Sequence, residues 1–214
     1  MEHKKVMSDE LSAYLDEHSS RHSELLEELR RQTFLKTTIP IMISHPTQGV
    51  LLSMLASMVK PKSILEIGTF TGYGTISLSS GLQGGGKITT IDNNPESLEI
   101  AKEFFKKAGL DDQITVVEAD ALLALDQLDW DFDLVFLDAD KVNYPSYIDK
   151  IVEKSKPGTF IIADNVLWNG RVLSEDKDNK TRALDTFNKQ ISKDFRVRNI
   201  LIPFRDGLML IERI

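Results

Sequence analysis

The chain has 214 residues, 41% of them hydrophobic, enough to bury a sizeable core and near the upper size of one compact α/β domain. Its 26 Lys and Arg against 33 Asp and Glu give a formal charge of −7, which disfavours a long nucleic-acid footprint. Without cysteine there are no disulfides, thiolate metal ligands or cysteine nucleophile; with no apolar run after MEHKKVMSDEL and no stretch of about 18 apolar residues, the expectation is a cytoplasmic protein with no membrane span.

Between Asp9 and Lys36 apolar residues recur at helical spacing, broken at HSSRHS, and predict two amphipathic helices. Pro46 can open a third helix, with Ser44 or His45 near its cap. From Ser63 short apolar runs alternate with helical stretches: SILEIG, KITTID, ITVVEAD, FDLVFLDAD and TFIIADN, each followed by a helix. This alternation predicts a doubly wound α/β fold with a mostly parallel sheet. After a polar stretch from Ser174 to Lys180 and a helix to about Lys193, FRVRNILIPF and GLMLIERI flank RDG and predict a hairpin, which adds an antiparallel strand. No linker divides the chain. The expected organisation is a single domain over 1–214, with helices in 1–60 and the strand-bearing core in 61–214.

ILEIGTFTGYG places Gly68, Gly72 and Gly74 where the first strand turns into a helix, so that backbone can approach a ligand closely. The spacing is neither that of a dinucleotide fingerprint nor that of a triphosphate loop. Glu66 beside it would oppose a pyrophosphate but could receive the ammonium, or favour the sulfonium charge, of S-adenosylmethionine. Asp92 ends the next strand at roughly the 20-residue spacing at which an acidic side chain can accept from a ribose diol; it can equally cap the NNPES helix. Asp120 and Ala121 end the third strand where they could meet an adenine edge, although Asp120 by itself suits a helix N-cap.

Asp138, Asp140, Asp164 and Asn165 arrive at the carboxyl ends of two successive strands, the binding edge of such a sheet. Carboxylates gathered there repel one another unless a cation lies between them, and carboxylate with amide oxygen favours magnesium, or calcium or manganese, over zinc. Each residue singly can instead serve as a cap or turn former. Lys141 is close enough in sequence to Asp138 to reach the same pocket as a base, since ammonium groups beside a cation or shielded from water release their proton more readily. Asn143, Tyr144 and Asn169 can face substrate or serve as turn residues.

Together, LEIGTFTGYG, LDADKVNY, DNVLWNG, MISHPTQG and the closing DGL strand resemble the cation-dependent caffeoyl-CoA and catechol O-methyltransferase family, particularly its bacterial members. The resemblance implies a seven-stranded, Rossmann-like class I methyltransferase fold with extra N-terminal helices. It implies that Asp138, Asp164 and Asn165 hold the metal, that Lys141 is the general base with Asp138 beside it in the catalytic group, and that Asn169 contacts substrate. Ser44, Glu66, Gly68, Asp92, Ala121, Asp138 and Asp140 match cofactor-contacting positions; Thr69, Gly72, Gly74, Asn93 and Asp120 complete the candidate set. Gly74 stands where the family usually has Ser or Thr, which implies that backbone N–H groups or Thr75 take that hydroxyl's part, or that the cofactor is held more loosely. The implied reaction is methyl transfer from S-adenosylmethionine to one hydroxyl of a vicinal diphenol, by a homodimer whose partner is a small phenolic acceptor bordered by the N-terminal helices and the Val172 to Asn179 loop. A non-catechol acceptor and a non-catalytic nucleotide-binding module are the competing readings.

Overall fold

The computed structural model describes residues 8–214; the opening MEHKKVM, read above for targeting signals, lies outside the described residues. Two helices lead, α1 (Asp9–Glu17) and α2 (Glu24–Lys36), followed by α3 (Pro46–Val59). Ser8 and Ser23 cap the first two by accepting from the N–H of Leu11 and Leu26, so the polar break at HSSRHS is where α2 begins. Pro46 opens α3 with His45 at the cap; no cap hydrogen bond comes from the His45 side chain.

The sheet is built from β1 (Ser63–Ile67), β2 (Lys87–Asp92), β3 (Ile114–Glu118), β4 (Leu134–Leu137), β5 (Phe160–Asp164), β6 (Val197–Ile202) and β7 (Leu208–Arg213). Their spatial order is β3-β2-β1-β4-β5-β7-β6. The first five are parallel, β7 runs antiparallel to β5, and β6 closes the edge antiparallel to β7. The crossover helices are α4 (Tyr73–Ser79), α5 (Pro95–Lys107), α6 (Ala121–Gln127) and α7 (Tyr144–Lys154), and α8 (Asn179–Ile191) leads to β6. The predicted mostly parallel sheet with its antiparallel hairpin strand is what forms.

Alternation along β1 divides the core. Ile64 packs with Leu52, Leu78 and Phe136 under α3 and α4, whereas Leu65 and Ile67 face Tyr144, Ile148 and Phe187 beneath α7 and α8. A third cluster, Leu26 and Leu29 with Tyr73, Phe104 and Phe105, fixes α2 against α4 and α5. Strand order reverses between β1 and β4, and a crevice opens outside the carboxyl ends there, as it must when successive crossovers leave in opposite directions. No helix among the described residues is long and apolar enough to cross a membrane.

Gly68 ends β1 at φ +103°, and a Cβ on it would stand 2.1 Å from the Asp138 carbonyl oxygen. Gly158, at φ +89°, faces open space. Gly68→Ala is therefore expected to cost about 3 kcal/mol or more in urea unfolding and Gly158→Ala about 1 kcal/mol; equal costs would show that the close approach is not what requires glycine at 68.

Candidate active site

A cleft of about 1000 Å³ lies at the switch point. The glycine loop supplies Gly68, Thr69 and Gly74, with Glu66 beneath it; β2 and β3 bring Asp92, Asn93, Asp120 and Ala121. Asp138, Asp140 and Lys141 follow β4, Asp164 and Asn165 close β5, and Ser44 and Asn169 complete the wall. Of the residues that the family resemblance nominates, all but one thus share one cavity, while Asn143 and Tyr144 do not line it. The exception is Gly72, at the N-cap of α4, where a Cβ would collide with Phe105 at 2.6 Å. Its missing side chain lets the loop pack on α5, and it does not line the cleft.

Glu66 is wholly buried. The Thr90 hydroxyl donates to its Oε2 at 2.6 Å and the Thr75 hydroxyl donates to the same atom, while Oε1 has no partner. Burial pushes the carboxyl up to about 8 against the opposing pull of those two hydroxyls. Thr75 is buried, and its hydroxyl is committed to Glu66. Gly74 has its own reason: a Cβ there would lie 2.7 Å from Glu66 Oε1. Asp92 accepts from the Phe70 N–H at 2.8 Å and the Asn94 N–H at 2.9 Å, which ties the loop to β2 and leaves lone pairs on both oxygens. Asp120 caps α6 through the Leu123 N–H and still lines the cleft, so the cap and wall readings hold together. Asp140 likewise caps the 3₁₀ turn Lys141–Asn143 and accepts from the Tyr147 hydroxyl at 2.6 Å.

In the other half, Lys141 donates to Asp138 Oδ1 at 2.8 Å and to the Tyr144 hydroxyl at 2.7 Å. The Tyr144 hydroxyl is turned on the carbonyl oxygens of Asp164 and Leu137. It is wholly buried, and burial followed by the charges of Asp138 and Asp164 holds its proton well beyond the ordinary tyrosine range. Asp164 Oδ2 accepts from Gln48 Nε2 at 2.6 Å and Oδ1 from the Asn165 N–H at 2.8 Å. Burial first, then the nearby Asp138 charge, pushes the Asp164 carboxyl upward. Among the described residues no three His, Cys, Asp or Glu side chains gather as a metal group; the set here is two carboxylates with the Asn165 amide. Asn165, Trp168 and Asn169 have φ of +60°, +47° and +53°, a run of left-handed backbone along one rim.

Gln48, Trp168, Arg205 and Asp206 also line the cleft and were not singled out by the sequence. Gln48 lies on α3, 116 positions before the carboxylate it serves, and nothing in its local pattern distinguishes it from a core-facing polar residue. Asp206 accepts from the Asn169 N–H and so joins the β6–β7 hairpin to the loop after β5. The segment from Val172 to Asn179 does not line the cleft: Val172 is drawn into the core, and only Lys180 beyond it reaches the wall. Ser12 of α1 and Lys36 of α2 do border it.

Because the folded Glu66 carboxyl sits near 8 and an unfolded one near 4.5, its contribution to stability is complete below about 4.5 and is lost as pH rises through about 8. The unfolding free energy of the wild type minus that of Glu66→Gln is expected to fall on the order of 4 kcal/mol between pH 5 and 9. Parallel profiles in denaturant titrations would overturn the assignment.

Comparison with known proteins accords with this geometry. A family model described as O-methyltransferase matches residues 16–214. A caffeoyl-CoA O-methyltransferase of Eucalyptus gunnii is 36% identical, covering 99% of this chain and 91% of its own. Among solved structures, a Bacillus cereus O-methyltransferase in complex with SAH superposes with a TM-score of 0.87 at 31% identity, covering 94% of this chain and 96% of that one. An SAH-bound methyltransferase of Podospora anserina gives a TM-score of 0.89 at 28% identity, covering 96% and 94%. The chain belongs to the O-methyltransferase family.

Proposed function

We propose that this protein transfers a methyl group from S-adenosylmethionine to one hydroxyl of a vicinal diphenol, with a divalent cation in the acceptor half of the cleft. The observation that carries the reading is the meeting of Asp138, Asp164 and Lys141 within the same cavity as the glycine loop. SAH in the solved Bacillus cereus and Podospora anserina relatives supports the methyl donor. In this reading Ser44, Glu66, Gly68, Thr69 and Gly74 meet its amino acid end, Asp92 and Asn93 its ribose, and Asp120, Ala121 and Asp140 its base end. Bound there, the donor supplies an activated sulfonium methyl, so the acceptor oxygen needs only to be anionic, close and in line.

The donor set fits a hard cation. Asp138 and Asp164 each keep unused lone pairs, the Asn165 amide adds a neutral oxygen, and the upward push on Asp164 from Asp138 is the repulsion that a cation relieves. Held by those three residues, magnesium, or calcium or manganese in its place, would supply Lewis-acid polarisation and a template for both vicinal oxygens. Lys141 takes the proton from the reacting hydroxyl, with its Nζ aimed by Asp138 and Tyr144. Gln48 holds Asp164 in place, and Asn169 and Trp168 border the acceptor ring. We further infer a single domain acting in the cytoplasm as a homodimer on small phenolic molecules and not on nucleic acid. The exposed Phe34, Leu35, Ile41 and Met42 are suited to cover by a second copy.

Incubation with S-adenosylmethionine, magnesium and a catechol or caffeoyl compound is expected to yield a monomethylated product by mass spectrometry, with activity lost on chelation and restored by the metal; turnover indifferent to EDTA sinks the cation. Lys141→Ala is expected to lower kcat by about 100-fold or more while donor affinity measured by calorimetry stays unchanged. Sedimentation equilibrium at micromolar concentration should give twice the chain mass, and a monomer throughout would rule out the dimer.

A further inference from the structure

The glycine loop is tied down from two sides. Toward the sheet, the Thr69 and Thr90 hydroxyls share a hydrogen bond at 2.6 Å, and the Phe70 N–H donates to Asp92. Away from the sheet, the partners come from α2 and the residue just before its cap. The Thr33 and Thr71 hydroxyls, both wholly buried, share a hydrogen bond at 2.9 Å, and the Tyr73 hydroxyl bonds to His22 Nδ1. Among the described residues the Thr71 and Tyr73 side chains have no other hydrogen-bond partner. The two tethers flank Gly72, and between them Leu26 and Leu29 pack with Tyr73 and Phe105.

His22 is itself aimed. Its Nε2 lies 2.6 Å from Glu27 Oε1, and a carboxylate at that nitrogen keeps the proton there, which leaves Nδ1 to accept from the tyrosine. Burial pushes loss of the Tyr73 proton above the ordinary tyrosine range, so that hydroxyl remains a donor. The His22 side chain is only 5% exposed, and the Tyr73 ring is pressed on α3, where a Cβ on Gly49 would stand 2.6 Å from it. Thr71 and Tyr73 line the cleft, whereas His22, Glu27 and Thr33 lie outside it.

Such anchoring answers a need of the loop. Phe70 has φ +47°, a left-handed conformation that a bulky residue keeps only where its surroundings over-determine it. Time spent by the loop outside its binding conformation lowers the apparent affinity for a ligand in proportion. We propose that Thr33 and the Glu27–His22 pair are positioning residues for the methyl donor: through Thr71 and Tyr73 they hold the strained loop in the conformation that binds S-adenosylmethionine. The proposal rests on the donor reading above and extends the donor site to a helix outside the cleft.

The test is calorimetric titration of the full-length protein with SAH. Thr33→Val keeps the shape and removes the hydroxyl, and is expected to weaken binding about fivefold or more. The titration stoichiometry, which counts folded protein, should stay that of the wild type. Thr33→Ser retains the hydroxyl and should bind within about twofold of the wild type. His22→Ala should cost as much as Thr33→Val, and His22→Asn, whose amide oxygen can accept from Tyr73, should recover part of the loss. Tyr73→Phe should match His22→Ala, and combining the two should add nothing, because one contact is removed in both. Gly158→Ala, a destabilised variant remote from the loop, should bind SAH within about twofold of the wild type and so separates positioning from general loss of stability. Wild-type affinity in both Thr33→Val and His22→Ala, Thr33→Ser as weak as Thr33→Val, additive losses in the double variant, or an equal loss in Gly158→Ala would overturn the proposal. Failure of the donor reading would look different: the wild type itself would then bind no SAH, and the proposal would fall with it.

Discussion

Two carboxylates are forced together by strand pairing, and one half of the cleft is organised around their repulsion. Leu137 pairs with Ala163 in parallel register, so the residues that follow, Asp138 and Asp164, emerge as neighbours at the carboxyl edge of the sheet. Neither can move away without breaking β4 from β5. The surrounding groups answer this charge. Lys141 Nζ donates to one oxygen of Asp138, Gln48 crosses from α3 to donate to Asp164, and Tyr144 locks the backbone of both strand ends from below. Removing the amide or the tyrosine hydroxyl would leave a buried polar group unpaired, which is why these remote residues belong to the site.

The half beneath the glycine loop obeys a related logic with the opposite remedy. Glu66 has no cationic partner, and its charge is suppressed by burial while two threonine hydroxyls share a single oxygen. The second oxygen faces Gly74, where any side chain would intrude. A polar atom left unsatisfied in this manner is costly in the empty protein and becomes favourable once a donor or a cation reaches it. The two halves therefore differ in kind: one holds a pair of carboxylates with an ammonium and an amide donating to them, and the other a lone buried carboxyl with two hydroxyl donors.

The fold was legible because its signals are local and repeated. Strand runs of four to six residues, Gly at turns and Ser, Asn or Asp at caps each report on their own neighbourhood, and they agree with one another. The site was legible to the extent that it lies on strand ends. Asp92, Asp120, Asp138 and Asp164 could be placed from the sequence because a parallel sheet delivers such residues to one edge. Gln48, Trp168, Arg205 and Asp206 were not, since each depends on a contact between segments far apart in the chain. Gly72 and Thr75 mark the limit of that reading for a common reason: the sequence shows that a loop is close to a ligand site but not which side of the loop faces it. The Phe105 ring settles that for Gly72, and the Glu66 carboxyl for Thr75.

The position of β7 has a temporal implication. It is later in the chain than β6 yet lies inside it, between β5 and the edge. As the chain leaves the ribosome, β5 must wait with one flank uncovered until Arg213 has emerged, because β6 cannot occupy that place in advance. Asp206 reaches Asn169 only when the hairpin docks. Asp138, Asp164 and the glycine loop can assemble among earlier neighbours, so the cleft wall made by Asn169 and the hairpin tip is the last part of the enzyme to be made.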